Sequence, residues 1–362
     1  MIVASIVGTR PQFIKLAPLS SEIRERFDEI IIHTGQHYDT EMTDLFFKEL
    51  SIPEPDYNLQ VGSGSHGYQT GKMLRGIERI LIKEDPDVVL VFGDSNSTLA
   101  GALAAAKLHI PVGHVEAGMR TFEPYLPEEI NRVCTDHISQ LLFAITPGTV
   151  SNLRNEGIPS GNIYLTGSTI VDACFEFSGL AEKNSNILEE LNVHSDSYFL
   201  FTAHRPENVD YKASLQMIID VLLKLPQTVV FPLHPRTEKS LERFNLMNTL
   251  RTLEEVIITP PLGYLDFLKL TNHALLTISD SGSIQQEAMA LRKKVVRMRS
   301  PAPFPELKEY RGVRSVKLDS DSILHAVVDL LTEDHLRSYE NPLGEGDASR
   351  RIAEVLENWK IF

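Results

Sequence analysis

Three acidic residues, Asp94, Glu116 and Glu128, stand where short apolar runs give way to turns, interleaved with Arg10, Arg120 and Arg132. Carboxylates grouped in this way suit proton transfer and the steadying of positive charge in a transition state. Gly8-Thr9-Arg10-Pro11, with Lys15 one turn further on, presents cations at a helix start, which suits a phosphate. Ser279-Asp280-Ser281-Gly282-Ser283 opens another predicted helix with small residues whose backbone N–H groups can cradle a diphosphate. Glu287, one turn in, is placed to accept from ribose hydroxyls. His204 and His234 follow two more apolar runs, each ahead of a proline and an arginine, and His114 shares a strand face with Glu116. Each motif also has a plainer reading. Asp94 serves as well as an N-cap, Glu128 as an acid at the positive end of a helix dipole, and Ser281 as an ordinary cap. Those readings do not account for so many acids and arginines at one set of strand ends.

These residues need elements to position them. The predicted strands are Ile2–Val7, Glu29–Thr34, Asp87–Phe92, Pro111–Val115, Leu141–Ile145 and Asn162–Thr166. A second set follows at Tyr198–Thr202, Thr228–Pro232, Val256–Thr259, Ala274–Ile278, Lys294–Met298 and Arg314–Leu318. Most are rich in Val, Ile and Leu without alternation, as in strands buried on both faces of a parallel sheet. Amphipathic stretches between them, such as Gly71–Ile82, Thr98–Leu108 and Pro127–His137, complete a βαβα order. The expected fold is α/β, two Rossmann-like doubly wound domains. In open sheets of this kind ligands gather beyond the carboxyl ends of the strands, where the polar residues lie. The seam is expected at the polar stretch Gly179–Ser185, after the helix holding Cys174. That divides the chain into domains over 1–178 and 179–342, with 343–362 a helix around Trp359.

Several function classes are excluded or disfavoured. The 362 residues carry a formal charge of -14, which argues against a generic nucleic-acid binder. A few focused arginines can still hold a small anion. Two cysteines, no basic leader and no apolar run of the length a membrane span needs point to a cytoplasmic enzyme without membrane insertion. No metal site is expected, because no H-E-x-x-H and no cysteine pair occurs. Gly62-Ser63-Gly64-Ser65-His66-Gly67 has the letters of a dinucleotide fingerprint but follows a proline-broken polar segment instead of a buried strand.

Taken together, the chain resembles the non-hydrolysing UDP-N-acetylglucosamine 2-epimerases. The motifs that carry this are Gly8-Thr9-Arg10-Pro11 with Lys15, Gly93-Asp94, Gly113-His114-Val115-Glu116-Ala117-Gly118, Pro127-Glu128-Glu129 with Asn131-Arg132, His204-Arg205, and Asp280-Ser281-Gly282 with Glu287. The resemblance implies a GT-B-like pair of domains with the ligand cleft between them, a homodimer, a final helix crossing back to the N-terminal domain, and no cofactor. It assigns catalysis to Asp94, Glu116, Glu128 and His204. Contacts to the UDP-sugar fall on Arg10, Lys15, His114, Arg132, His234, Ser281, Gly282, Ser283 and Glu287. Two departures stand out: Ser283 replaces a usual second glycine, and Ser300–Glu306 replaces a segment that commonly holds a Thr-Glu pair. Gln36-His37 resembles a stretch tied to regulation by a second substrate molecule, although Tyr38–Met42 differs from it. The implied activity exchanges UDP-GlcNAc and UDP-ManNAc through loss and re-addition of UDP, in support of polysaccharide biosynthesis. Alternatives are 2-epimerisation of a UDP-2,3-diacetamido uronic acid sugar and glycosyl transfer from a UDP-sugar donor. A catalytically silent sensor fits poorly with the intact acids and His204.

Overall fold

The computed structural model describes residues 1–36, 40–298, 312–333 and 341–359, with the backbone alone for 40–44. His37, Tyr38, Asp39 and the Ser300–Glu306 stretch therefore lie outside the described residues. The chain forms two compact units, Met1–Glu176 with the segment from Pro342 onward, and Phe177–Asn341.

The first unit is built on a seven-stranded parallel sheet. Its strands are β1 (Ile2–Val7), β2 (Asp28–His33), β3 (Tyr57–Asn58), β4 (Val88–Phe92), β5 (Val112–Ala117), β6 (Leu141–Ala144) and β7 (Ile163–Leu165), in the order β3-β2-β1-β4-β5-β6-β7. The second unit holds six parallel strands, β8 (Tyr198–Thr202), β9 (Thr228–Pro232), β10 (Val256–Thr259), β11 (Leu276–Ser279), β12 (Val295–Arg297) and β13 (Val313–Ser315), in the order β10-β9-β8-β11-β12-β13. All twelve expected strands are present, with ends displaced by up to three residues. The two-residue edge strand β3 was not anticipated. Burial explains the absence of alternation, since β4, β5, β6 and β8 are buried along their whole length.

Strand order reverses between β1 and β4 in the first sheet and between β8 and β11 in the second. Each reversal opens a crevice at the carboxyl ends, because the flanking connections leave to opposite faces. The helix Asn96–Lys107 follows β4, and its Ala100, Ala102, Ala104 and Ala105 are buried with Ile6, Val89 and Val91. Small side chains there let the helix lie close to the strands. The second core is more aromatic, with Phe201 and Phe231 edge-on at 4.9 Å.

The helix holding Cys174 runs from Thr169 to Asn184, so Gly179–Asn184 is its final portion and not a segment following it. Within the first unit, Asp172 of this helix accepts from the backbone N–H groups of Ala348 (3.1 Å) and Ser349 (2.6 Å), at the start of the helix Ala348–Asn358. Arg26 reaches Glu357 at 3.0 Å, and Ile352, Ala353 and Leu356 are buried. Burial of those three apolar side chains gives the final segment a reason to fold back onto the first unit.

Gly118, just past β5, has φ of 81°, and an added Cβ would sit 2.4 Å from the Thr149 carbonyl oxygen. Gly118→Ala should therefore lower stability by about 2 kcal/mol or more through left-handed strain and overpacking. Urea denaturation reads this directly, and an unshifted midpoint would contradict the close approach.

Candidate active site

In the first unit the switch point is bound together by Gln12. Its Oε1 accepts from the Gly8 N–H (2.8 Å), while its Nε2 donates to the Phe92 carbonyl (2.7 Å) and to Thr98 Oγ1 (3.0 Å). One amide thus fixes the end of β1 against the end of β4. Gly8 has no room for a side chain, since a Cβ would lie 2.0 Å from Thr34 Oγ1 and 2.2 Å from Ser97 Oγ. Arg10 opens the helix Arg10–Arg24, with its guanidinium 4.5 Å from the centre of the Phe46 ring.

The acids hang from the adjoining strand ends. Glu116 has φ of 71°, an unfavourable value for a glutamate, at an irregularity in the β5–β6 register. It is 3 % exposed; Oε2 is ion-paired with Lys15, and Oε1 has no hydrogen-bond partner among the described residues. Asp94 follows Gly93, and its Oδ2 accepts from Arg132 at 3.0 and 2.8 Å. Asn131 also donates to the Asp94 carbonyl at 2.9 Å. The N-cap reading of Asp94 is overturned: Ser95 is the cap, accepting from the Thr98 N–H. Arg132 is shared with Glu129, whose carboxylate accepts from Thr121 and from the Phe122 N–H at 2.8 Å. Glu128, in the first turn of the helix Pro127–Ile138, is half-buried and outside these ion pairs.

Behind this row lies a second set of charges. His114 is fully buried, with Nδ1 2.6 Å from Asp136 Oδ1 and Nε2 2.7 Å from the Gly93 carbonyl. Arg120 joins Asp136 (2.7 Å) to Glu156 (2.6 Å).

In the second unit Asp280 plays the organising part. Its carboxylate accepts from the backbone N–H groups of His204 (3.0 Å) and Arg205 (2.9 Å) and from Asn208 Nδ2 (3.0 Å). His204 Nδ1 lies 3.2 Å from Oδ1. Burial pushes the Asp280 carboxyl up. The hydrogen bond and charge of His204, with the Arg205 N–H and Asn208, more than offset this and hold it well below the usual carboxylate range. The His204 and His234 rings stand 5.1 Å apart, and His234 Nδ1 accepts from the Arg236 N–H at 3.1 Å. Ser281 occupies the N-cap position of the helix Gly282–Ala290, yet its side chain makes no capping bond and instead meets Ser283 Oγ at 3.1 Å. The ordinary-cap reading of Ser281 therefore fails. Its side chain leaves the first-turn N–H groups uncapped, a condition that favours anion binding.

Each unit gathers its own share of the expected residues. Lys15 and Glu116, and Asp94 and Arg132, pair at the ends of β4 and β5, with Glu128 in the first turn of the helix Pro127–Ile138, whereas His204, His234, Ser281, Gly282 and Ser283 follow β8, β9 and β11. Glu287 is buried at 2 % exposure. His114 is fully buried with both nitrogens engaged, and the Lys15 ammonium is directed to Glu116. Asp136, Glu129, Gln12 and Asn208 were missed. Only the polar residues facing inward on otherwise apolar helix sides could have flagged them. Among the described residues no group of three or more metal-ligating side chains converges, and no helix is long and apolar enough to cross a membrane.

The depressed Asp280 carboxyl makes a testable link to stability. A lowered acid stabilises the fold above its unfolded pKa, about 3.9, and that contribution disappears as pH falls further. Asp280→Asn should cost about 3 kcal/mol at pH 7. The gap from the wild type should narrow below about pH 4 in urea titrations. A gap independent of pH would remove the charge from the explanation.

With this geometry in hand, comparison with known proteins is informative. The family model for UDP-N-acetylglucosamine 2-epimerase matches residues 21–357. A UDP-N-acetylglucosamine 2-epimerase homolog of Methanococcus maripaludis is 47% identical over 359 residues, covering 99% of this chain and 100% of the relative. The UDP-2,3-diacetamido-2,3-dideoxy-D-glucuronate 2-epimerase of Pseudomonas aeruginosa is 40% identical, covering 98% of this chain and 99% of the relative. The crystal structure of Methanocaldococcus jannaschii UDP-GlcNAc 2-epimerase with UDP-GlcNAc and UDP superimposes with a TM-score of 0.93 at 44% identity, covering 99% of both chains. With the strand order and the acid-lined switch point already in place, these matches show that the chain belongs to the UDP-N-acetylglucosamine 2-epimerase family.

Proposed function

We propose that this chain is an isomerase that interconverts UDP-GlcNAc and UDP-ManNAc by eliminating UDP across C1–C2 of the sugar and re-adding it at C1 with the C2 proton delivered to the other face. The observation that carries the reading is Glu116. A glutamate held in left-handed backbone, buried, with one oxygen ion-paired to Lys15 and the other without a partner, is arranged to take a proton.

The chemistry follows from the substrate. The C2 hydrogen of a 2-acetamido sugar has no neighbouring carbonyl to acidify it, so departure of the leaving group leads. The C1–O bond breaks with its electron pair going to UDP, and positive charge develops at C1. The C2–H pair then forms the C1–C2 double bond as the proton passes to a carboxylate. Re-addition of UDP with protonation at C2 from the opposite face gives the epimer. Electrons balance without an oxidant or reductant. Asp94, oriented by Arg132, and half-buried Glu128 steady the charge at C1 or exchange the proton. His204, braced by Asp280, and the Gly282 helix start stabilise the leaving diphosphate.

Family membership supports the finer expectations as well: a cytoplasmic homodimer making UDP-ManNAc for polysaccharide synthesis. A second reading has one specific support, the 40% identity to the diacetamido uronate 2-epimerase. Proton NMR with both UDP-sugars and no acceptor distinguishes the two substrates, and also excludes glycosyl transfer if epimer forms.

Two experiments test the mechanism. In heavy water, epimer formed early should carry deuterium at C2, because carboxylates exchange protons with solvent faster than a typical turnover of about 10 per second. Full retention of protium would refute elimination. Glu116→Gln should reduce kcat by roughly a hundredfold or more while leaving UDP affinity within about threefold of the wild type. Equal loss of both would place Glu116 in binding instead.

A further inference from the structure

We infer that His114 carries a hydrogen on both ring nitrogens and, as an imidazolium locked against Asp136, is a positioning residue that sets the placement of the reactive acids. The inference about its charge rests on hydrogen-bond geometry alone. Its consequence for turnover rests on the function proposed above.

A backbone carbonyl oxygen only accepts, so the 2.7 Å contact to Gly93 requires Nε2 to donate. The 2.6 Å contact of Nδ1 with Asp136 Oδ1 has two possible senses, and the surroundings of Asp136 decide between them. Its Oδ2 already accepts from the Gly118 N–H at 3.1 Å and lies 2.7 Å from Arg120 NH1. Two donors thus occupy that oxygen, and the Arg120 guanidinium beside it favours the ionised carboxylate. Asp136 is therefore an ionised carboxylate, an acceptor at both oxygens, and Nδ1 donates as well. Two donating nitrogens make the ring a cation.

The surrounding charges are consistent with this. His114 and Arg120 face Asp136 and Glu156, two positive groups against two negative ones. Beyond Gly93 stands the Lys15–Glu116 pair, itself neutral. On the flanking strands, His114 is in register with apolar Val91 and Leu142, so neither presents a competing charge.

This single ion pair joins three elements. It holds the Gly93 carbonyl beyond β4, the Gly118 N–H beyond β5, and the helix Pro127–Ile138. Asp94 is the next residue after Gly93, Glu116 lies two before Gly118, and Glu128 is about two turns before Asp136 on that helix. All three acids are thus carried by parts that the His114–Asp136 pair fixes, although the pair itself touches no substrate. Displacement of a reacting group by about 1 Å can cost a hundredfold in rate.

The test uses the full chain labelled with 15N-histidine, at pH 8 and without substrate. One of the twelve histidines should show two N–H hydrogens protected from solvent exchange, and that signal pair should vanish in His114→Gln. In Asp136→Asn the ring should retain only one hydrogen. Should one variant fail to fold, the other still assigns the signal pair, since His273, whose ring meets Glu182 and Ser195, keeps its partners in both. Where the variants fold, kcat should fall by roughly a hundredfold with KM changed less than about threefold. Absence of any doubly protonated, protected ring would overturn the charge assignment whatever the reaction proves to be. An unchanged kcat in folded His114→Gln would overturn the positioning role.

Discussion

A charge removed from water must be met by an opposite charge or a full set of hydrogen bonds, and the polar half of this protein is arranged around that requirement. The ends of β4 and β5 bring buried Glu116 and partly exposed Asp94 together with the buried acids Glu129 and Asp136, and each meets a cation. Glu116 has Lys15, Asp94 and Glu129 share Arg132, and Asp136 lies between His114 and Arg120. These pairs are weak grounds for stability, because desolvation offsets much of the Coulomb gain. Their effect is on position. A carboxylate gripped at fixed distances by a planar guanidinium has few alternative rotamers, which is what a reacting group needs.

The second sheet meets the same requirement differently. Asp280 is held mainly by N–H groups from the turn after β8, supplemented by Asn208 and the His204 ring. Thr202 Oγ1 and Ser279 Oγ, 2.8 Å apart, close the same strand ends just beneath it. Here the buried acid acts on the backbone, tying the ends of β8 and β11 across the switch point much as Gln12 ties β1 to β4. Both sheets thus stabilise the crevice that their strand order creates. In the first the tie is a neutral amide beside paired charges, and in the second it is a carboxylate.

Much of the fold was legible because parallel strands buried on both faces leave uninterrupted Val, Ile and Leu runs, and turns with glycine, proline and small polar residues punctuate them. Edge strand β3, with two residues and half-exposed Tyr57, carries no such run and was invisible. At the site, residues at strand ends were legible because topology makes that location informative. Residues one layer behind were not. Asp136 and Glu129 sit in a helix where acids are common, and nothing in the letters tells an inward acid from an outward one. His114 was noticed on the face of Glu116, but the sequence could not show that Asp136 and the Gly93 carbonyl already occupy its ring. Ser281 and Asp94 were each ambiguous between capping and chemistry, an ambiguity only side-chain geometry resolves.

Charge accounting also bears on how a chain of formal charge -14 holds a diphosphate. The sequence reading put Arg10 and Lys15 at a phosphate and Arg132 among the UDP-sugar contacts. In the folded first unit the Lys15 ammonium is neutralised by Glu116, and Arg132 faces two carboxylates, so neither adds net positive potential for an anion. The second unit differs. Its acid, Asp280, is buried and turned toward the turn after β8, while the helix starting at Gly282 presents the positive end of its dipole without a side-chain cap from Ser281. Arg205 donates from Nε to the Asp280 carbonyl at 3.0 Å, which keeps a guanidinium beside that helix start without setting it against a carboxylate. Acids and cations thus pair in the first unit, while the second presents an uncapped helix start beside a guanidinium.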